Sequence, residues 1–486
     1  MPRSVLPVTT ACVMLLAPSL QAQDAKQLVM RHVEQHQARY VATAQRIWDL
    51  AEVGYQERES SALLQGHLRE AGFDVKAGVA GIPTAFVASF GSGKPVIAIL
   101  AEFDALPGIT QSRSPEREPV SAKPAGHACG HHLFGTASTA AALAVKDWLA
   151  TGRRTGTIRL YGTPAEEGGS GKVYMVRAGL FDDVDVVLHW HAGDANSADA
   201  VSSLANKSAK FRFRGLSAHA AAAPERGRSA LDGVEAMNHM VNLMREHVPA
   251  ASRIHYVITS GGSAPNVVPD FAEVYYYVRH PDPEMVRSIF DRVVQAAEGA
   301  ALGTGTEVTH EVIGGVYNLL PIASLAEMMH ANLTAVGGVT YTAQERAFAE
   351  VLRRSLPADV PPIEAAGTIK PLEVILGARQ GGGSTDVGDV SWVVPTVGLR
   401  VATWVPGTAS HSWQAIAAGG TTIGEKGMMV AAKTLARSAV DLFLTPALVT
   451  RARAEFEQRR GPNYRYVSLV GDRAPPLDYR NAPGNN

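Results

Sequence analysis

The sequence predicts an α/β protein with a central sheet covered by helices, into which a smaller α+β unit is inserted. Three observations carry that expectation. Strand-like and helix-like apolar patterns alternate up to about residue 206, the order of elements changes over 207–319, and the first kind of pattern returns after 320. The chain has 486 residues, beyond the ~250–300 at which a single hydrophobic core stops growing, so two cores are expected.

Taken in order, Leu28, Val33, Tyr40, Ile47 and Leu50 recur at roughly helical spacing and predict helix within 27–50, while a second helix over 58–71 is closed by Gly72. Strands are predicted at 84–90 and 96–101, a helix at 133–149, a strand at 157–161, a helix at 172–177 and a strand at 184–189. Beyond 206 the order becomes strand 209–214, helix 229–247, strands 254–260 and 271–279, helix 284–301 and strand 307–313, a ferredoxin-like unit with the length of a small domain. Strand 393–400 and helix 426–444 complete the first domain. The division is therefore a leader over 1–22, a discontinuous domain over 23–206 and 320–445, an insertion over 207–319 and a tail over 446–486. The stretch 341–383 is punctuated by Pro and Gly and receives no element, and the tail is read as largely irregular.

Composition is that of an ordinary globular protein, 46% apolar and 19% charged. The 45 basic and 46 acidic residues nearly cancel without a long Lys/Arg run, which excludes the electrostatic footprint of a nucleic-acid or membrane-surface binder and leaves small-molecule partners. Arg3, an apolar stretch from Val5 to Leu20 and then Gln21-Ala22 follow the order of a secretory signal peptide cleaved after Ala22. Pro7 and Pro18 interrupt the stretch, which falls short of the ~20 residues of a spanning helix, so a periplasmic or secreted protein without stable membrane association is expected. Cys12 leaves lipid attachment as a minor alternative, although much of the apolar run lies after it. Cleavage would leave Cys129 as the lone cysteine, unable to form an internal disulfide. A protected metal-bound thiolate and a buried apolar thiol are the two readings of it.

Four clusters carry chemistry. Ala125-Gly-His-Ala-Cys-Gly-His-His132 places Cys129 and His131 between a Gly-rich turn and a helix, and a Cys-X-His step can converge two donors suited to zinc or a comparable divalent metal. Gly162-Thr-Pro-Ala-Glu166-Glu167-Gly168-Gly169 follows a strand, where α/β sheets bind ligands, and adjacent carboxylates can divide metal binding from proton transfer. An exposed acidic loop is the bland reading of that pair. His189-Trp-His191 and Ala409-Ser-His411-Ser-Trp413 also follow strand-like runs, and each is weak alone. Gly168-Gly-Ser-Gly-Lys172 is not a phosphate loop, because the spacing needs Gly where Glu166 stands. No Gly-X-Ser-X-Gly elbow precedes a helix, which argues against a serine hydrolase.

In sequence order Glu102-Phe-Asp104-Ala-Leu-Pro-Gly108, HACGHH, GTPAEEGG, LHWH, RGLSAHAAAAPERGRSALDGV, APNVVPD, VRHP and ASHSW resemble the metal-dependent amidohydrolase and carboxypeptidase family. That family includes hippurate hydrolase, indoleacetyl-amino-acid hydrolases, aminoacylase and carboxypeptidase G. LHWHAGD, STDVGDVSW and SHSWQ point within it to the branch of the aminobenzoyl-glutamate hydrolase B chain. The resemblance covers about 27–444. It implies a metallopeptidase-like amidohydrolase whose inserted domain serves as dimer contact or lid. It implies two divalent ions, zinc or manganese with cobalt or nickel also admitted, on Cys129, His131, Glu167, His191 (His189 less so) and His411. Cys129 stands where relatives have a bridging Asp. Glu166 matches the general base, Asp104 a residue orienting a ligand, and His219 a group that in relatives reaches a neighbouring active site to polarise the scissile carbonyl. Asn266 and Arg279 match substrate-gripping positions, Arg279 being suited to a carboxylate. Many relatives have Asp at His132 and Arg at Glu102, so those two positions depart from the pattern.

The resemblance thus implies hydrolysis of an amide in an N-acyl or aminobenzoyl-type amino acid or dipeptide with a free carboxylate. A homodimer is expected, with a second, different polypeptide also admitted. A dipeptidase of the same family is one alternative. A catalytically silent periplasmic metal- or solute-binding protein is another, against which the Glu166-Glu167 pair counts, since a binder needs no general base.

Overall fold

The computed structural model describes residues 20–152, 154–377 and 382–480. The leader over 1–22 and Cys12 therefore lie outside the described residues up to position 19, as do 481–486 of the tail. No helix among the described residues is long and apolar enough to cross a membrane.

Six strands make one mixed sheet, in the spatial order Asp74–Ala77, Phe86–Ser92, Gly156–Gly162, Val96–Ala101, Val186–Gly193 and Thr396–Ala402. The first two joins are antiparallel and the last four strands run parallel. Val96–Ala101 is apolar and buried at every position, as a parallel strand covered on both faces must be. Helices His131–Thr151 and Thr422–Leu444 pack together on one face, with Leu20–Gln35 laid across both. Gly171–Arg177 and Val387–Ser391 lie in a separate apolar cluster, against Leu100 and Val187 of the sheet.

The second sheet is antiparallel, in the order Arg253–Ser260, Phe271–His280, Ala205–Arg214, Glu307–Val316. Counted along the chain that is second, third, first and fourth, the ferredoxin-like arrangement. Helices Ala230–Met244 and Pro283–Thr304 cover it, burying Phe211, Phe213, Met237, Tyr276, Phe290 and Val293 in a core of its own. Both helices begin where a side chain accepts the amide of the first turn, Ser229 from Asp232 and Asp282 from Glu284.

Three expectations need correction. The helical region within 27–50 is two helices, Leu20–Gln35 and Gln37–Leu50, broken at His36 with no Gly or Pro to mark it. The stretch 341–383 contains helix Ala343–Arg353, which opens on a capping box of Thr342 and Glu345, and a short strand Val374–Ile375 paired with Ala200–Val201. The tail starts with helix Pro446–Arg460, where Pro supplies the first helical position and Glu455 caps helix Ala323–Val336 through the amides of Ala323 and Ser324. Only Ala452 and Phe456 of that helix are buried, so it carries no apolar stripe by which periodicity could find it.

Candidate active site

The four parallel strands end at one edge of the sheet, where open α/β sheets bind ligands. Glu102 and Asp104 follow Val96–Ala101, Glu166 and Glu167 follow Gly156–Gly162, His191 lies near the end of Val186–Gly193, and His411 lies on the loop after Thr396–Ala402. Cys129 precedes helix His131–Thr151, which starts at Gly130 with φ of 76°, a conformation that favours glycine. His411 is held beside this turn by donating its amide to the carbonyl of Ala128 at 2.9 Å. It has a φ of 61° and Ala165 one of 57°, left-handed positions for non-glycine residues next to the chemistry.

Cys129, His131 and His191 bring one donor atom each within 4.8 Å of one another, and so do Cys129, Glu167 and His411. The thiol belongs to both sets. Its Sγ lies 3.4 Å from His191 Nε2, and His411 Nε2 lies 3.2 Å from Glu167 Oε1. A third set, Glu102, His131 and Glu166, meets the same limit and places Glu166 against the first. His131 Nε2 and Glu167 Oε1 are buried with no well-aligned hydrogen bond, their polar neighbours being the Glu102 carboxylate and the His411 imidazole, and a cation would satisfy both. Asp104 links the two sets, one carboxylate oxygen 2.9 Å from His131 Nδ1 and the other accepting the Glu167 amide at 2.9 Å. With Nδ1 so engaged, His131 turns Nε2 into the site.

Burial pushes the Cys129 thiol well above its usual range, and the Glu167 carboxylate adds to the shift. A cation reverses that tendency by favouring the thiolate. Glu166 is raised well above the ordinary carboxylate range by burial, then by the charges of Glu102 and Glu167. Burial alone would lower His131, but Cys129, Asp104 and Glu102 outweigh it and raise the imidazole well above its usual value. His189 shares a strand face with His191 two residues on, yet it belongs to none of the donor sets among the described residues. Burial, with Lys172 and Arg400 nearby, lowers it to about 3.

His219 and Asn266 sit together on exposed loops of the smaller unit, where Ala220 donates to the Asn266 carbonyl at 3.0 Å and His219 Nδ1 accepts from Ala221 and Ala222. The structure does not bring them into the donor sets of this chain. Arg279 lies over the Tyr277 ring at 5.3 Å and donates to Ser384 Oγ at 2.9 Å, across from the smaller sheet. Sequence reasoning missed Lys172 and Asp386. Lys172 is fully buried, its ammonium 2.7 Å from both Glu102 and Asp386, and Glu102 in turn lies 3.1 Å from His131 Nε2. A lysine opening a short helix whose next four residues are Val-Tyr-Met-Val was the available signal. His132, the other departure, meets the His127 ring at a tilt, 4.9 Å between centroids, and donates from Nε2 to the Gly419 carbonyl.

The sequence pattern of Peptidase family M20/M25/M40 matches residues 98–366, a span that includes every residue named above as a metal, base or substrate candidate except His411. The B chain of p-aminobenzoyl-glutamate hydrolase from Escherichia coli (strain K12) is 41% identical over 460 residues, 90% of this chain and 95% of that protein. Xaa-Arg dipeptidase of Mus musculus is 27% identical over 447 residues, 89% and 92% of the two chains. Among solved structures, a dinuclear metal-binding peptidase of the M20 family from Bacillus subtilis shares the fold, with a TM-score of 0.55 at 18% identity over 85% of this chain and 99% of that one.

Proposed function

Because this chain belongs to peptidase family M20/M25/M40 and is a hydrolase of that family, we propose that it cleaves the amide of an N-acyl or aminobenzoyl-type amino acid, or of a dipeptide, bearing a free carboxylate. The observation that carries the reading is the membership of Cys129 in two donor sets with Glu166 against one of them. Thiolate, imidazole and carboxylate donors suit zinc or manganese and admit cobalt or nickel. The buried His131 Nε2 and Glu167 Oε1, which make no well-aligned hydrogen bond, fit the same demand. His131 and His191 would complete one site with Cys129, and Glu167 and His411 the other. Cations held there would lower the pKa of water from ~15.7 to roughly 7 and polarise the scissile carbonyl.

Glu166 takes the proton of the attacking water and returns it to the leaving nitrogen, without which an amine is a poor leaving group. Arg279 receives the free carboxylate, and Asn266, which sits beside His219, helps grip the substrate. His219 donates to the carbonyl oxygen as it gains charge, from a second copy of the chain in a homodimer. The name of the 41% identical relative makes p-aminobenzoyl-glutamate the first substrate to test, and because that name designates one of an enzyme's subunits, a second, different polypeptide stays among the assemblies to test. The order of residues 3–22 supports export to the periplasm or beyond.

The test is metal analysis of the purified protein joined to a hydrolysis screen of p-aminobenzoyl-glutamate, N-acyl amino acids and dipeptides, with and without chelator. We expect two bound divalent ions and turnover that chelation abolishes and metal restores. Turnover confined to dipeptides would make it a dipeptidase, and a metal-loaded protein inert to the whole screen would be a binding protein.

A further inference from the structure

We propose that the C-terminal tail is part of the active site, with Tyr479 and Arg480 acting as positioning residues that hold the Glu166-Glu167 loop by the carbonyl of Glu167. The inference rests on the reading of that loop given above. Glu167 points its carboxylate to His411, while its carbonyl accepts from the Tyr479 hydroxyl at 2.9 Å and from the Arg480 guanidinium. Among the described residues these are the donors to that carbonyl, and both come from the tail. The rest of the loop is held from the sheet side. Glu57 accepts the amide of Ala165 at 2.8 Å, Asp104 that of Glu167 at 2.9 Å, and the Tyr55 hydroxyl donates to the Gly169 carbonyl at 2.6 Å.

The seat for the tail is shaped to it. A Cβ on Gly54 would stand 2.3 Å from the Tyr479 hydroxyl oxygen and 2.9 Å from the Ala165 Cβ, so only glycine leaves room for the ring. Tyr55 meets the same ring edge-on at 5.7 Å between centroids. Gly168, with φ of 89°, brings its backbone beneath Arg480, where an added Cβ would lie 3.6 Å from Nη2. The segment that delivers these side chains is anchored along its course. Tyr464 stacks on Trp392 at 4.9 Å, the Tyr466 hydroxyl donates to Asp389 at 2.7 Å, and Leu469 is buried in the core of the smaller unit. Arg473 then pairs with Glu311 at 2.9 Å while its carbonyl accepts from Arg177 at 2.7 Å.

A charged donor on a neutral carbonyl makes a stronger bond than a neutral one, and a fixed anchor supplies it without ordering a free end. The Glu167 side chain hangs on the peptide so held, and the amide at the other end of that peptide, Gly168, donates to the Glu166 carbonyl at 2.7 Å. Removing the clamp therefore loosens a donor and the base together, while the anchors at 464–473 keep the fold.

The experiment compares the full-length wild type with Tyr479→Phe, Arg480→Gln, Arg480→Lys and the Tyr479→Phe/Arg480→Gln double variant. Zn²⁺ affinity is read by competition with a chelator, kcat and KM with p-aminobenzoyl-glutamate, and Tm by calorimetry of the chelator-treated protein. We expect the double variant to lose about 10–100-fold in Zn²⁺ affinity and in kcat, with KM and Tm nearly unchanged and Arg480→Lys recovering part of the loss. Wild-type Zn²⁺ affinity in the double variant would overturn the inference, as would a loss that Arg480→Lys shares in full or that only follows a fallen Tm. The Zn²⁺ titration needs no substrate, so a wild type that binds metal but hydrolyses nothing would refute the proposed reaction and still leave the clamp decided by the titration.

Discussion

Glu166 and Glu167 are neighbours in sequence with opposite surroundings. Glu167 reaches His411 and joins the Cys129 set, whereas Glu166 falls in with Glu102 and His131. Glu166→Gln keeps shape and polarity but cannot accept a proton, so metal content should stay near wild type while kcat falls by ~10²–10⁴; turnover close to wild type would remove Glu166 from the reaction. Lys172 is the counterpart on the structural side. It neutralises two buried carboxylates, Glu102 and Asp386, and burial that would depress its pKa is outweighed by them, so it stays charged with a raised value. Lys172→Met strands both carboxylates in the core, which should destabilise the protein by about 3–5 kcal/mol in urea unfolding. A loss well under that would mean the carboxylates find water or protons instead. Glu102 thus has its counter-charge in Lys172, 2.7 Å away on the helix that follows Gly156–Gly162.

The strands were legible in the sequence because alternating or continuous apolar runs betray them, and they put Glu166 and His191 at or just past strand ends and His411 after a strand, while the order of strands in the sheet that brings the three together came from the structure. Helix Pro446–Arg460 was not legible, since only Ala452 and Phe456 of it are buried and no apolar stripe marks it. The short helix Val387–Ser391 shows what such modest elements can do. Its Asp389 accepts from the Tyr466 hydroxyl at 2.7 Å and the Tyr317 amide at 2.9 Å, yet burial pushes the carboxyl up to about 7. A folded-state value above the unfolded one means that the folded protein keeps a proton which the unfolded chain releases near 3.8. This contribution to stability is fully present below that lower value, falls as pH rises toward about 7 and is then lost. Denaturant unfolding at pH 5 and pH 7.5 should show wild type losing on the order of 2 kcal/mol more than Asp389→Asn over that interval. Parallel profiles would show that water or Tyr466 keeps Asp389 ionised.

His219 stands on an exposed loop outside the donor sets of this chain, so the role proposed for it depends on a second copy. Strand Arg253–Ser260 is an edge of the smaller sheet and exposes Val257 and Ile258, with Leu243 exposed on the adjoining helix. Edges of that kind template pairing with another chain, and a second copy joined there could offer its His219 loop to this active site. Glu166→Gln and His219→Ala, each inactive alone, should therefore regain activity when unfolded and refolded together, with sedimentation reporting a dimer. A mixture that stays inactive would deny His219 a role across the interface. The candidate donors, their order along the chain and the two-core plan could all be read from the linear sequence, because motifs that resemble a family, residue chemistry and apolar periodicity are local properties. The pairing of Lys172 with Glu102 and Asp386 on either side of it in the chain, and the return of the tail to Glu167, could not be read there. Those contacts join segments far apart in the chain, and only the packing of strands and helices brings them within bonding distance.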